Sequence, residues 1–132
     1  MSGDYLLDTH VWLWALLDPS QLKKKTRGLL ASPDARFWLS PISVWETLLL
    51  VERGRLELDV DSRRWIRDAM ASSGVGEASL NHEVALQSRK VDVKHDDPAD
   101  RFIAATASVY QLTLLTADER LLRGSGYERM RA

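Results

Sequence analysis

The sequence predicts an α/β fold in which helices cover both faces of a mainly parallel sheet. Short apolar segments recur along the chain, and longer segments with helix-capping residues separate them. Strands that alternate with helices in this way form parallel sheets, because each helix returns the chain to the start of the next strand. Ligands bind such sheets beyond the carboxyl ends of the strands. Residues that directly follow a strand are therefore the first place to look for a functional site.

The predicted strands are short, apolar and bounded by polar or turn residues. Four fit this description, and a segment near the end of the chain is predicted as an edge strand: 5–8, 37–40, 75–80, 113–116 and 127–130. The predicted helices lie between them, over 11–17, 21–30, 44–53, 63–71, 82–90, 98–110 and 119–122.

Capping residues set the predicted ends of these helices. Helix starts are predicted at Ser20, Ser43, Asp61 or Ser62, Asn81 or His82, and Asp97, which precedes a proline at the first helical position. Gly54 and Gly74 are predicted to end two helices.

Composition limits the possible classes of protein. The chain has 132 residues without a repeat or a Pro/Gly-rich linker, so we expect one domain over 1–132. The absence of cysteine excludes disulfides, thiolate zinc sites and cysteine nucleophiles. A net charge of -1 argues against a broad basic face for long nucleic acids. No apolar run approaches the ~20 residues of a membrane span, and residues 1–4 do not resemble a signal peptide. A cytoplasmic location is expected.

Two predicted strands end in nearly the same way. Asp8 ends the first strand, and Asp118 lies just past the fourth. If these strands are parallel neighbours, both carboxylates point into one crevice at the carboxyl edge of the sheet. The alternative is that each aspartate only caps the following helix or turn.

Other acids also lie in unusual places. Seven of the ten residues over 42–51 are apolar, and Glu46 lies among them. Burying a carboxylate there is costly unless it is paired or bound to metal, although a solvated face shared with Ser43 and Arg53 is equally consistent. Asp97 and Asp100 lie in the acidic segment HDDPAD before a helix of small and apolar residues. Acids at a helix start are favoured by the helix dipole, and Asp100 could complete a capping box, so both also have structural explanations.

Separated carboxylates are the ligands that Mg²⁺ and Mn²⁺ prefer. Such metals activate water and neutralise charge on a phosphodiester. This chemistry needs no cysteine, serine or histidine nucleophile, which suits a chain without cysteine and with three scattered histidines. The acids therefore predict a metal-dependent nuclease.

Four segments in order, LLDTHVWLW, SPISVWE, HDDPADRFIAATA and TLLTADERLL, resemble the PIN-domain family, most closely its VapC-type toxins. The resemblance spans about residues 6–122. It implies a three-layer α/β/α sandwich, a ribonuclease dependent on Mg²⁺ or Mn²⁺, a homodimer and a small cognate antitoxin. By position, the resemblance assigns the catalytic and metal-binding acids to Asp8, Glu46, Asp100 and Asp118. Thr9, Asp97 and Thr116 are candidates for supporting roles.

Several other residues are weaker candidates. The three histidines could touch metal or phosphate: His10, His82 and His95. Two basic runs could contact RNA or an acidic antitoxin: Lys23, Lys24, Lys25 and Arg27, and Arg63, Arg64 and Arg67. A solvated helix face is the favoured interpretation of each basic run. The five tryptophans could stack bases, but most are predicted to lie in the core, with Trp12 and Trp14 as alternatives for a dimer interface.

Two other functions have to be weighed. A receiver or phosphatase domain also gathers acids at strand ends, but a receiver carries paired acids after its first strand, and a haloacid-type phosphatase carries a second Asp where this chain has His10. A non-catalytic RNA- or protein-binding module is the other alternative. Metal-dependent cleavage of a mixed RNA pool would distinguish it from a nuclease.

Overall fold

The computed structural model describes residues 3–132, where strands and helices alternate as the sequence predicts. The strands are β1 (Gly3–Leu7), β2 (Ala35–Leu39), β3 (Gly76–Glu77), β4 (Thr113–Thr116) and β5 (Arg129–Arg131). The helices are α1 (Thr9–Leu17), α2 (Lys24–Leu30), α3 (Pro41–Glu52), α4 (Ser62–Ser73), α5 (His82–Gln87), α6 (Pro98–Tyr110) and α7 (Glu119–Leu122). A single 3₁₀ turn, Pro19–Gln21, precedes α2.

The five strands form one parallel sheet in the order β3-β2-β1-β4-β5. The first strand lies at the centre, with Leu7 opposite both Leu39 of β2 and Leu115 of β4. The segments that leave β1 and β4 therefore emerge side by side at the carboxyl edge. This topology confirms the predicted parallel sheet and places Asp8 next to the segment that contains Asp118.

Two apolar clusters lie on opposite faces of the sheet, because successive strand residues point to opposite sides. Leu6 and Leu114 pack with Ile103 of α6, whereas Leu7 and Leu115 belong to the cluster that includes α1. Helices therefore cover both faces, which confirms the three-layer α/β/α sandwich. Trp12 is only 1% exposed within the chain and packs edge-on against Trp65. The expectation that Trp12 could serve a dimer interface was therefore wrong.

Several predicted element boundaries were wrong, and at two helix starts the side-chain hydrogen bonds show why. Ser20 lies in the 3₁₀ turn and donates to Asp18, so α2 begins only at Lys24. Helix α3 begins before Ser43, because the Oγ of Ser40 accepts from the N–H of Ile42 and Pro41 occupies the first helical position. Ser43 is instead fully buried in the helix. The third strand is only Gly76–Glu77 rather than 75–80.

Most other predicted helix ends are confirmed, although α5 ends at Gln87 rather than at residue 90. Asp61, Asn81 and Asp97 each accept a backbone hydrogen bond at the start of a helix. Gly54 and Gly74 have φ values of 70° and 68° and follow the ends of α3 and α4. None of the helices within residues 3–132 combines the length and the hydropathy that a membrane span requires.

Candidate active site

Asp8 lies at the carboxyl end of the central strand, where two elements hold its carboxylate. Its backbone N–H donates to the carbonyl of Leu115, which ties the end of β1 to β4. Its Oδ1 accepts from the N–H of Thr9 (2.9 Å) and thereby caps α1. Its Oδ2 accepts from the hydroxyl of Thr116 (2.7 Å). Burial raises the pKa of Asp8, while these hydrogen bonds act in the opposite direction.

Thr116 connects Asp8 to Asp118. Its Oγ1 donates to Asp8 and accepts from the backbone N–H of Asp118 (3.0 Å). Asp118 in turn caps α7, since its Oδ1 accepts from the N–H of Arg120 (2.8 Å) and lies 3.4 Å from the Nε of that arginine. Burial acts to raise the pKa of Asp118, but the hydrogen bonds and positive charge of Arg120 outweigh it, so the pKa is lowered. One hydroxyl therefore holds the two strand-end acids together.

Glu46 reaches the same cleft from α3. Its Oε1 accepts from the hydroxyl of Thr9 (2.5 Å), which also lies 2.9 Å from the Oγ of the buried Ser43. Glu46 is half-buried rather than solvated. Burial raises its pKa, and the nearby charges of Asp8 and Asp97 add to that effect, although the bond from Thr9 opposes it.

Asp100 lies in the first turn of α6 and is almost buried. Its Oδ2 is 2.9 Å from the Nε2 of His95, although that ring nitrogen makes no aligned hydrogen bond. The Nδ1 of His95 accepts from the N–H of Asp97 (3.2 Å). Burial raises the pKa of Asp100 to about 8, and the negative charges of neighbouring acids, Asp8 first, reinforce the shift. Asp97 is exposed, and its Oδ1 caps α6 at the N–H of Ala99 (2.9 Å).

The structure brings all four predicted acids to one cleft of about 570 Å³. Its lining is mostly polar and consists of Asp8, Thr9, His10, Trp14, Glu46, Arg55, Asp97, Asp100, Ala117, Asp118 and Arg120. An adjacent cavity of about 350 Å³ shares five of these residues and extends along α3. Arg55 and Arg120 lie in the cleft but were not singled out from the sequence. The sequence offered one indication for Arg55: it directly follows Gly54, the glycine predicted to end α3, and so lies at a helix end.

The donor set fits a hard divalent cation. Carboxylate oxygens dominate, and His95, Asp97 and Asp100 offer ligand atoms within 4.8 Å of one another. The acids also raise one another's pKa values, so a bound cation would relieve their repulsion. His95, which was a weak candidate from the sequence, has its Nε2 2.9 Å from Asp100, the third predicted acid.

The basic runs lie elsewhere in the part of the chain that the structure describes. Lys23, Lys24, Lys25 and Arg27 belong to the start of α2, and Arg63, Arg64 and Arg67 to α4; none of them lines the cleft. His82 begins α5 and is likewise absent from the lining, whereas His10 is part of it. The solvated-face interpretation therefore suits these basic residues better than a place inside the cleft.

Known proteins resemble this chain in sequence and in fold. Residues 5–126 match the model of the PIN domain family. The chain is 30% identical over 119 residues to Ribonuclease VapC22 of Mycobacterium tuberculosis, covering 88% of each protein. Its fold resembles DNA-bound VapBC from Salmonella typhimurium (TM-score 0.71, 17% identity, 99% and 98% of the chains covered). It equally resembles VapBC2 from Rickettsia felis bound to a promoter DNA fragment (TM-score 0.71, 13% identity, 98% of each). This chain therefore belongs to the PIN domain family.

Proposed function

We propose that this chain is a metal-dependent endoribonuclease and the toxin of a toxin–antitoxin pair. The observation that carries the proposal is the convergence of Asp8, Glu46, Asp100 and Asp118 in one cleft at the carboxyl edge of the sheet. Membership of the PIN domain family and the curated relative named as a ribonuclease support it. Neither the receiver nor the phosphatase alternative has comparable support.

The four acids would hold Mg²⁺ or Mn²⁺. When bound, the cation would supply activation of water and neutralisation of charge on the phosphodiester. The chain's own residues position the ligands, because Thr116 holds Asp8 beside Asp118 and Thr9 holds Glu46. Burial raises the pKa of Asp100 to about 8, so a bound cation would favour the ionised form of this acid.

The partner proposed for this cleft is a small cognate antitoxin. An acidic groove is complementary to a basic side chain, and an apolar helix or extended segment laid across it would block access to RNA. Solved relatives described as VapBC toxin–antitoxin proteins support this partner. We further propose that the chain acts as one domain, forms a homodimer and works in the cytoplasm.

The test is cleavage of a mixed RNA pool by purified wild type and Asp8→Asn. We expect cleavage in Mg²⁺ or Mn²⁺, none in chelator, and at least a hundredfold loss in Asp8→Asn, consistent with the removal of a transition-state contact worth several kcal/mol. A folded wild-type protein that binds RNA without cutting it in either metal would favour the binding module. Equal cleavage by Asp8→Asn would refute the role of that acid.

A further inference from the structure

We propose that Trp45, Arg53 and Arg55 form a shelf beside the acidic cleft that binds the RNA strand next to the cut. One base of a single-stranded RNA would stack on the Trp45 indole, and the adjoining phosphates would meet the two guanidinium groups. This inference rests on the proposed function, because it assigns substrate positioning to residues outside the acid cluster.

Trp45 is more exposed to solvent than is energetically favourable for a side chain of its size. Its side chain is 52% exposed, whereas the chain's other four tryptophans are buried or half-buried. Leaving a large aromatic side chain in water forgoes the stabilisation that burial of its apolar surface would contribute. Trp45 makes no ring stacking or cation–π contact within the described residues. Its indole face is therefore available to a ligand.

The position of Trp45 links it to the acids. Trp45, Leu49 and Arg53 follow one another at intervals of four residues on α3, so they form one ridge of the helix. They line the cavity of about 350 Å³ together with Glu46. That cavity shares Thr9, His10, Glu46, Arg55 and Asp97 with the acidic cleft, so the two spaces are adjacent.

Arg53 and Arg55 carry positive charge that no acidic side chain pairs with in the part of the chain that the structure describes. Arg53 and Arg55 are exposed and form no ion pair or side-chain hydrogen bond within residues 3–132. Arg120, on the other side of the cleft, is already paired with Asp118. Free guanidinium groups bind phosphate oxygens in pairs of hydrogen bonds. Arg55 lines both spaces, which places a phosphate contact between the shelf and the acids.

The backbone holds this pair of arginines in place. Arg53 caps the end of α3, and Gly54 with φ 70° reverses the chain so that the N–H of Arg55 donates to the carbonyl of Leu50 (2.9 Å). This Schellman motif returns Arg55 toward the helix. The Arg side chains therefore flank the helix end on the same side as the cavity that they line.

A nucleic acid strand fits this surface better than an apolar partner. Leu49 and Leu50 are already half-buried, so Trp45 is the one large apolar group presented, and arginines and an acid surround it. Single-stranded nucleic acids are bound by this combination of an aromatic stacking platform and cationic groups along the backbone. A protein segment or a second copy of the chain would instead require a wider apolar surface.

Binding measurements test the shelf separately from catalysis. The probe is a fluorescein-labelled single-stranded RNA that the wild-type protein cuts, and binding is followed by anisotropy with each variant also carrying Asp118→Asn to prevent cleavage. We expect Trp45→Ala to weaken binding about tenfold, since stacking contributes ~1–3 kcal/mol per base, and Trp45→Phe to restore most of it. Leu86→Ala, which shortens an apolar side chain that is 64% exposed on α5, is the matched control and should bind as the parent does.

An abasic scan identifies the contact. Removal of the stacked base should weaken binding by the parent but not by Trp45→Ala, whereas abasic sites elsewhere should weaken both equally. In cleavage assays, Trp45→Ala should raise KM more than it lowers kcat. Circular dichroism checks that each variant is folded.

Two results would overturn the proposal: unchanged RNA binding by folded Trp45→Ala, or additive effects at every abasic position. If light scattering also showed that Trp45→Ala loses self-association while its RNA binding is unchanged, Trp45 would be assigned to an interface between copies. Metal-dependent cleavage by the wild type with any of these outcomes would leave the proposed function intact. A wild type that neither binds nor cuts RNA would remove both proposals.

Discussion

At the scale of single residues, the acids combine two roles that the sequence presents as alternatives. Asp8 and Asp118 each accept a backbone hydrogen bond at a helix start, and both also line the acidic cleft. A carboxylate has two oxygens with several lone pairs, so one oxygen can cap a helix while the other faces the cleft. Capping therefore does not argue against a functional role for either residue.

Asp97 and Asp100 are the pair whose roles differ most. Asp97 is an exposed cap, so Asp97→Ala should cost ~1 kcal/mol of stability and leave substantial activity. Asp100 is nearly buried among other acids, so Asp100→Asn should remove most activity. It should leave metal-free stability unchanged or improved, because the folded state no longer has to keep this acid protonated or hold its charge beside the other acids. The measurement is a paired set of melting curves in chelator and cleavage rates in saturating Mg²⁺ or Mn²⁺. Lost activity in Asp97→Ala with near-normal activity in Asp100→Asn would reverse this assignment.

Thr116 should matter through its hydroxyl alone. Thr116→Val keeps the shape of the side chain but removes the donor to Asp8 and the acceptor for Asp118, which should cost ~1–3 kcal/mol of stability. The pKa of Asp8 should rise, since the Thr116 bond lowers it, and metal binding measured by calorimetry should need higher pH. Thr113→Val, on the same strand and without a side-chain hydrogen bond within the described residues, is the control. Identical behaviour of the two variants would contradict the bridging role.

At the scale of elements, local signals were most reliable where a residue type satisfies a backbone requirement by itself. Gly54 and Gly74 end helices because a left-handed conformation is easy only for glycine. Asn81 and Asp97 begin helices because their side-chain oxygens accept free N–H groups. Ser20 failed, since its hydroxyl found Asp18 instead of the backbone.

Two glycines should respond in opposite directions to the same substitution. Gly54→Ala should lower stability by ~1 kcal/mol, because φ 70° strains any other residue although a Cβ meets nothing within 4 Å. Gly28→Ala should raise stability by ~0.5–1 kcal/mol, because Gly28 is exposed in the middle of α2 and its Cβ would also meet nothing within 4 Å. Urea unfolding of the two variants measures both. Shifts of the same sign would contradict the conformational explanation.

At the scale of the whole molecule, the sheet order places the cleft. The chain positions of Asp8 and Asp118 are far apart, but β1 and β4 are neighbours, so both acids leave the same edge. Helices α3 and α6 bring Glu46 and Asp100 to that edge. The result is a concentration of like charge that no local segment contains.

This clustering of acids predicts how the stability of the metal-free protein depends on pH. The pKa of Asp100 rises from its ordinary 3.8 to about 8, so between these values the unfolded chain has lost a proton that the folded state keeps. Stability must then fall as pH rises through that window. In chelator, the melting temperature should be higher at pH 5 than at pH 8, with a smaller difference in Asp100→Asn. Millimolar Mg²⁺ or Mn²⁺ should raise the value at pH 8. A melting temperature in chelator that rises from pH 5 to pH 8 would contradict this account.

The sequence by itself determined the fold class, the main strands and the identity of the four acids that now line the cleft. It could do so because apolar periodicity and capping are local properties, and because four segments in a specific order resemble one family. The short third strand, the start of α3 and the burial of Trp12 depended on competition between neighbours that periodicity does not record.

Only the tertiary structure decided which residues share the cleft with those acids. The Thr116 bridge, the approach of His95 to Asp100, and the exposure of Trp45 beside Arg53 and Arg55 join residues through the sheet order and the end of α3. The physical reason is that burial and charge repulsion depend on distance in space. Asp8 and Thr116 lie 108 positions apart in the chain, yet their side chains are 2.7 Å apart.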